Sequence, residues 1–194
     1  LLIAGWTTVV ATVLGTMLGM SLQRYRFRGK GVFESWVHLP IVVPEVCLGV
    51  ALMAFFAAIR LPLGLTTVTL SHIAFSIPFV AVVIRARMAS FDPALEEAAH
   101  DLGASRWQSF RDVTLPHLMV GIVASALLVA TLSLDDFVIT FFTSGPGATT
   151  LPLKIYSMAR FSVTPEINAA STVLIVLTVM LVLGAVAVQT RWRR

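Results

Sequence analysis

The sequence predicts an all-α fold: a polytopic membrane helix bundle with five transmembrane helices. Three observations predict it. Hydrophobic residues make up 57% of the 194 positions and charged residues only 12%, against roughly 25% charged in a soluble domain. Residues 1–23, 61–84, 113–134 and 167–190 contain no Asp, Glu, Lys or Arg. Each run is about the ~20 residues that cross a bilayer as a helix, and too long for the strands of a barrel. Finally, the basic residues alternate between connections. Eleven of the fourteen Lys and Arg fall in 24–30 (RYRFRGK), 85–115 and 191–194, which the positive-inside rule places in the cytoplasm.

The first span, 1–23, carries Gly15-Thr-Met-Leu-Gly19. Small residues at this spacing let helices approach closely in lipid, although Gly is also common in membrane helices generally. The second, 38–59, holds one charge, Glu45, and two prolines, Pro40 and Pro44, which should bend its cytoplasmic end. Glu45 either lines a polar path opened by that bend or bonds to a neighbouring helix. The lone Cys47 has no disulfide or metal partner and reads as an apolar filler. In the third span, 61–84, His72 reads as a hydrogen-bonded packing residue in preference to a ligand or proton relay.

The fourth span ends at Asp135-Asp136. Nineteen residues beyond Pro116, Asp135 lies about 28 Å up the helix, near the far interface. An ionisable pair beside a span is read as functional by default. Adjacent residues point about 100° apart, so at most one lines an outer gate fully. The alternative is a solvated helix end. The outer connection 143–166 contains the turn Gly145-Pro146-Gly147. A short helix over 151–162, ended before Pro165, follows it. That segment is either an ordinary connection or a docking surface.

On this topology the loops near 60–66 and 143–166 face outside and the C-terminus faces the cytoplasm. Leu1 then falls on the outer side, so a first helix upstream is expected. The net charge of +4 reflects topology in a membrane chain, and no nucleic-acid partner is expected. No GxxxxGK[ST], HExxH or GxSxG occurs; Arg24 stands where the first Gly of a phosphate loop ending in Gly29-Lys30 would be. Catalytic residues, metal ligands and a cofactor in this chain are therefore not expected.

One long polar stretch interrupts this pattern: EEAAHDLGASRWQSFRDVTLP, residues 96–116. Asp92 suits an N-cap, Pro93 the first helical position, and Glu96 and Glu97 the positive end of the dipole. Leu95, Ala98, Ala99 and Leu102 share one face; Glu96, Glu97, His100 and Asp101 share the other. Gly103 ends the helix as a residue past a C-terminus does. A second short helix from Ser105, carrying Trp107 and Phe110, should stop before Leu115-Pro116. Physical pattern alone leaves two readings open: an interfacial helix–turn–helix, or a docking element for a cytoplasmic partner.

The spacing Glu97-Ala98-Ala99, three residues, Gly103, nine residues, Val113, one residue, Leu115-Pro116 resembles the EAA signature of ABC importer permeases, with Val113 where Ile is usual. RYRFRGK, LPIVVPEVCLGVAL, LSLDDFVITFF and SGPGATTLPLKIYSMARFSVTPEINAASTVLI extend the resemblance to polyamine (spermidine/putrescine) importer permeases over nearly the whole chain. The resemblance implies a single transmembrane domain, 1–194, lacking the first of six spans, with a cytoplasmic coupling loop, 85–115. It implies a bacterial inner-membrane subunit that does not itself hydrolyse ATP. ATP and Mg would be bound by a partner ATP-binding subunit dimer. Contact with that dimer would involve Glu96, Glu97, Ala98, Ala99, Asp101, Leu102, Gly103, Ala104, Leu115 and Pro116. The other implied partners are a homologous permease, membrane lipid, and an external binding protein docking near Lys154, Tyr156 and Arg160. For a cationic cargo, Glu45, Asp135 and Asp136 are the candidate path residues. An ion-coupled secondary transporter would fit the Pro-broken spans and Glu45 but leaves 92–116 without a role. A membrane enzyme built on Asp135-Asp136 lacks a nearby His in sequence.

Overall fold

The computed structural model describes residues 1–160 and 165–191, with the side chains of 185 and 188–191 left aside. The residues 161–164, which precede the expected stop at Pro165, and the tail cations Arg193 and Arg194 lie outside the described residues.

All regular structure among the described residues is helical. The elements are α1 (Leu2–Arg24), α2 (Lys30–Val42), α3 (Glu45–Ala58), α4 (Leu65–Ala89), α5 (Ala94–Asp101), α6 (Arg106–Ser109), a π-turn (Phe110–Thr114), α7 (Leu115–Asp135), α8 (Val138–Thr143), α9 (Leu151–Ala159) and α10 (Pro165–Arg191). Four helices are long and apolar enough to cross a bilayer, or five if the bent pair α2–α3 counts as one span. The five runs expected from hydropathy therefore all appear.

The core is the packing of α1, α4 and α7, centred on Ala11, Val80, Ile84, Met88, Leu118 and Val129. Between helices already in lipid, close packing rather than water exclusion drives association. Gly15 and Gly19 supply it. A Cβ on Gly15 would come 2.9 Å from the Ile77 carbonyl oxygen, and one on Gly19 would come 2.7 Å from that of Ala81. The small-residue pair is thus a true helix contact, seating α1 directly on α4. α10 lies against α7 and α9, and α3 against α8.

Two expectations change. The second span is not merely bent at its cytoplasmic end. Its helix starts at Lys30, inside the basic connection, carries Pro40 within α2 and breaks at Val43-Pro44, where α2 and α3 meet at 109°. Pro44 cannot donate to the preceding turn and biases Val43 to the extended backbone observed (φ −71°, ψ 133°). The second short helix also does not stop before Leu115-Pro116. α6, the π-turn and α7 run on as one 30-residue span, Arg106–Asp135. The Leu115 N–H donates to the Phe110 carbonyl five residues back. This widened turn leads into a helix whose first turn contains Pro116, a position that tolerates the missing donor.

Candidate functional site

At the basic end, α5 hangs below the bundle as the expected short helix. Asp92 Oδ1 accepts from the Ala94 N–H at 3.0 Å, satisfying a donor of the first turn. At the other end, Gly103 takes φ +88°. The Gly103 N–H donates to the His100 carbonyl and the Ala104 N–H to the Ala99 carbonyl, both at 2.9 Å. These are the two bonds of a Schellman turn, whose left-handed residue is usually glycine. Ser105 and Gln108 then cap α6 reciprocally, Gln108 N–H to Ser105 Oγ at 3.3 Å and Ser105 N–H to Gln108 Oε1 at 2.8 Å.

The faces of α5 divide differently from the apolar/polar pattern. Ala99 and Glu96 turn toward the bundle, while Leu95, Glu97, Ala98, Asp101 and Leu102 are exposed. Leu102 is 89% exposed and Trp107 on α6 is 66% exposed, high values for large apolar groups in water. The open face thus mixes two apolar side chains, a small Ala and two carboxylates. Gly103 is exposed and Ala104 half-buried at the turn. Leu115 and Pro116 sit apart from this face, in the first turn of α7.

Glu96 has a different setting. Its carboxylate pairs with the Arg24 guanidinium at the end of α1 and accepts from the Thr114 hydroxyl in the π-turn. Arg24 also donates to Thr114 Oγ1 at 3.3 Å. Nearby, Phe91 packs edge-on against His117, ring centroids 5.1 Å apart, and Arg87 donates to the His117 carbonyl at 3.4 Å. Arg85 bonds Glu34 at 3.0 Å, tying α2 to α4.

A second set of polar groups gathers where α3 begins and α7 ends. Glu45 opens α3 and is exposed. It lies near enough to Asp135 and Asp136 for their charges to act on it, so α3 and the α7–α8 junction bring the three sequence candidates together. The two Asp diverge for another reason than adjacent helical positions: α7 ends at Asp135, and Asp136 has extended backbone (φ −61°, ψ 123°). Asp135 is exposed. The Asp136 side chain is 7% exposed, with Oδ2 3.1 Å from His72 Nε2. It also accepts from the Thr140 N–H and hydroxyl, each at 2.8 Å, and from the Ile139 N–H at 3.3 Å. His72 Nδ1 lies 2.8 Å from Ser133 Oγ. His72 is the hydrogen-bonded packing residue expected, and Asp136 is held as the cap of α8. Thr67 Oγ1 donates to the Thr143 carbonyl at 2.8 Å, joining α4 to the start of the outer connection.

α9 forms within the expected segment. Lys154, Tyr156 and Arg160 are all exposed, but they do not share a face. Tyr156 and Arg160 project within about 40° of each other and Lys154 about 160° away from Tyr156. Tyr156 also packs on Phe137, centroids 4.7 Å apart.

Sequence reasoning missed the Arg24–Glu96–Thr114 and His72–Asp136 links. Both join residues more than sixty positions apart except for Thr114–Glu96, which are eighteen apart. No local periodicity signals such pairs. Among the described residues, no group of three or more His, Cys, Asp or Glu is placed to hold a metal ion.

Residues 11–193 match the family described as binding-protein-dependent transport system inner membrane component. The chain is 38% identical over 185 residues to the spermidine/putrescine transport system permease protein PotC of Escherichia coli (strain K12), covering 95% of this chain and 70% of that protein. It is 42% identical over 195 residues to the putrescine transport system permease protein PotI of the same organism, covering 97% and 66%. Identity falls to 28% with its sulfate transport system permease protein CysT. The inward-facing MetNI methionine ABC transporter contains a chain superposable with a TM-score of 0.77 at 18% identity, over 97% of this chain and 90% of that one. At that identity the likeness is one of fold.

Proposed function

Because the chain belongs to the family of binding-protein-dependent transport system inner membrane components, we propose that this ABC permease moves polyamines inward, driven by ATP hydrolysis on a partner subunit dimer. The observation that carries the driven-importer reading is the open face of α5. An eight-residue helix, capped at both ends, displays Leu95, Glu97, Ala98, Asp101 and Leu102 outward, uncovered by the described residues. Ala98 permits close approach, Leu102 offers apolar area to a cleft, and Glu97 and Asp101 offer partners for basic groups. ATP and Mg belong to the partner; this chain supplies the surface that is pushed. The turn residues Gly103 and Ala104 fix the angle at which α5 meets α6. Leu115 and Pro116 set the start of the span that α6 enters.

The polyamine assignment draws on the identities to PotC and PotI and on charge. Glu45 and Asp135 stand exposed near one another where α3 begins and α7 ends, and cations crossing a membrane need such groups. An anion such as sulfate would be repelled there. Asp136, held by His72 and Thr140, shapes this end by fixing α8 rather than by meeting cargo. A homologous permease completes the pathway beside α3, and the external binding protein delivers cargo to the α9 region, with Tyr156 and Arg160 on one side of that helix. The basic end, with the C-terminus, faces the cytoplasm of a bacterial cell.

The test is uptake of labelled putrescine, spermidine and sulfate. Cells lacking their own polyamine importers would express the full-length chain with its neighbouring ATPase, permease and binding protein. Polyamine uptake without sulfate uptake, lost in Glu45→Gln/Asp135→Asn, is expected. Sulfate uptake, or polyamine uptake indifferent to the double substitution, would refute the substrate assignment.

A further inference from the structure

The coupling face of α5 accounts for Glu97 but not for Glu96, which points the other way. Three elements meet at its carboxylate. Arg24 is the last residue of α1, where a cation also complements the helix dipole. Thr114 is fully buried in the π-turn at the base of α7. Glu96 lies in the first turn of α5, where an anion is favoured. Both Arg24 and Thr114 bond the same oxygen, Oε1.

The geometry around this junction is asymmetric. Above it, α1 is seated on α4 through Gly15 and Gly19 with no room for a Cβ, and α1, α4 and α7 share one packed core. Below it, a pocket of about 480 Å³ lies between Arg24, Glu96, Met88, Phe91 and Pro93, leaving space for α5 to tilt. The chain reaches α5 from α4 through the non-helical Phe91–Pro93 segment and leaves it through the Gly103 turn. Neither connection is a rigid helix. The Glu96 junction is the link by which a displacement of α5 reaches α1 directly.

We infer that Glu96 is a positioning residue. Through Arg24 and Thr114 it transmits movement of the ATPase-docked α5 into α1 and α7. This rests on the importer reading above. The ion pair is partly exposed, with side chains 35% and 25% accessible, so its static contribution to stability is small. Its role lies in transmission.

The experiment uses the full-length permease in its assembled complex, reconstituted in nanodiscs. The readouts are ATPase retention, thermal midpoint, and the factor by which the putrescine-loaded binding protein stimulates ATP hydrolysis. Arg24→Gln leaves the open face of α5 intact. It is expected to keep the ATPase bound and the midpoint unchanged while stimulation falls roughly fivefold or more, the lower range of coupling effects between sites. Thr114→Val, which removes one donor and keeps the volume, is expected to give a smaller fall. The exchanged pair Arg24→Glu/Glu96→Arg is expected to recover most of the loss. Unchanged stimulation in Arg24→Gln overturns the proposal and leaves the importer reading standing. So does a loss of stimulation matched by a lowered midpoint and not recovered by the exchange, which marks a merely structural contact. A wild-type complex that retained no ATPase would overturn the importer reading and this inference with it.

Discussion

Replacing Gly103 isolates one physical term. Its φ is +88°, a region that costs an L-residue about 1–2 kcal/mol. A Cβ at this position meets nothing within 4 Å, so Gly103→Ala adds no clash and removes no packing. The whole cost falls on the Schellman turn, whose Ala104 N–H bonds the Ala99 carbonyl at 2.9 Å. Local opening should become easier by about 1–2 kcal/mol, or roughly 5–30-fold. Hydrogen exchange read by mass spectrometry over peptides containing Ala104 measures this directly. If the ATPase subunit binds only the closed turn, its apparent affinity falls by up to the same factor. Gly103→Asn should cost less than Gly103→Ala, because Asn tolerates the left-handed region better. The thermal midpoint of the bundle should barely move in either variant. Equal exchange in the Gly and Ala proteins, or an Asn variant worse than Ala, would refute the argument from backbone conformation.

Two further outcomes follow from the outer end. His72→Ala leaves the nearly buried Asp136 carboxylate short of a partner and should destabilise the fold by about 1–3 kcal/mol, read as a lowered thermal midpoint; adding Asp136→Asn should recover part of it, and no destabilisation would contradict the buried pairing. Arg60, with φ +56°, ends α3 in the left-handed region without being glycine. Its turn makes the same pair of bonds, Arg60 N–H to Ala57 and Leu61 N–H to Phe56. Arg60→Gly should therefore stabilise by up to about 1 kcal/mol, and a lowered midpoint would show that the side chain does something the backbone does not reveal.

What the sequence revealed followed the range of each interaction. The spans were legible because insertion sums over some twenty consecutive residues. The α5 turn was legible because Asp92, Pro93 and Gly103 act on their own neighbours. The 109° break at Val43-Pro44 was only half legible: proline announces a weakened turn, while the angle depends on how α3 packs against α8. Leu115-Pro116 misled because a proline normally ends a helix, and the π-turn that admits it leaves no residue signature. The faces of α5 were readable as a division by polarity, but which side is open depends on Arg24, far away in sequence. The open side is therefore Leu95, Glu97, Ala98, Asp101 and Leu102, with Ala99 and Glu96 turned inward. That Asp136 leaves the helix after Asp135 and is claimed by His72 could not be seen.

The most direct test of the account is the association of the ATPase with α5. The full-length chain would be purified with its neighbouring subunits, and the ATPase retained would be quantified for wild type and Glu97→Arg. The account predicts stable retention in wild type and marked loss in Glu97→Arg, with the permease still folded. Retention unaffected by a reversed charge on the open face, or no ATPase on the wild-type chain, would contradict it.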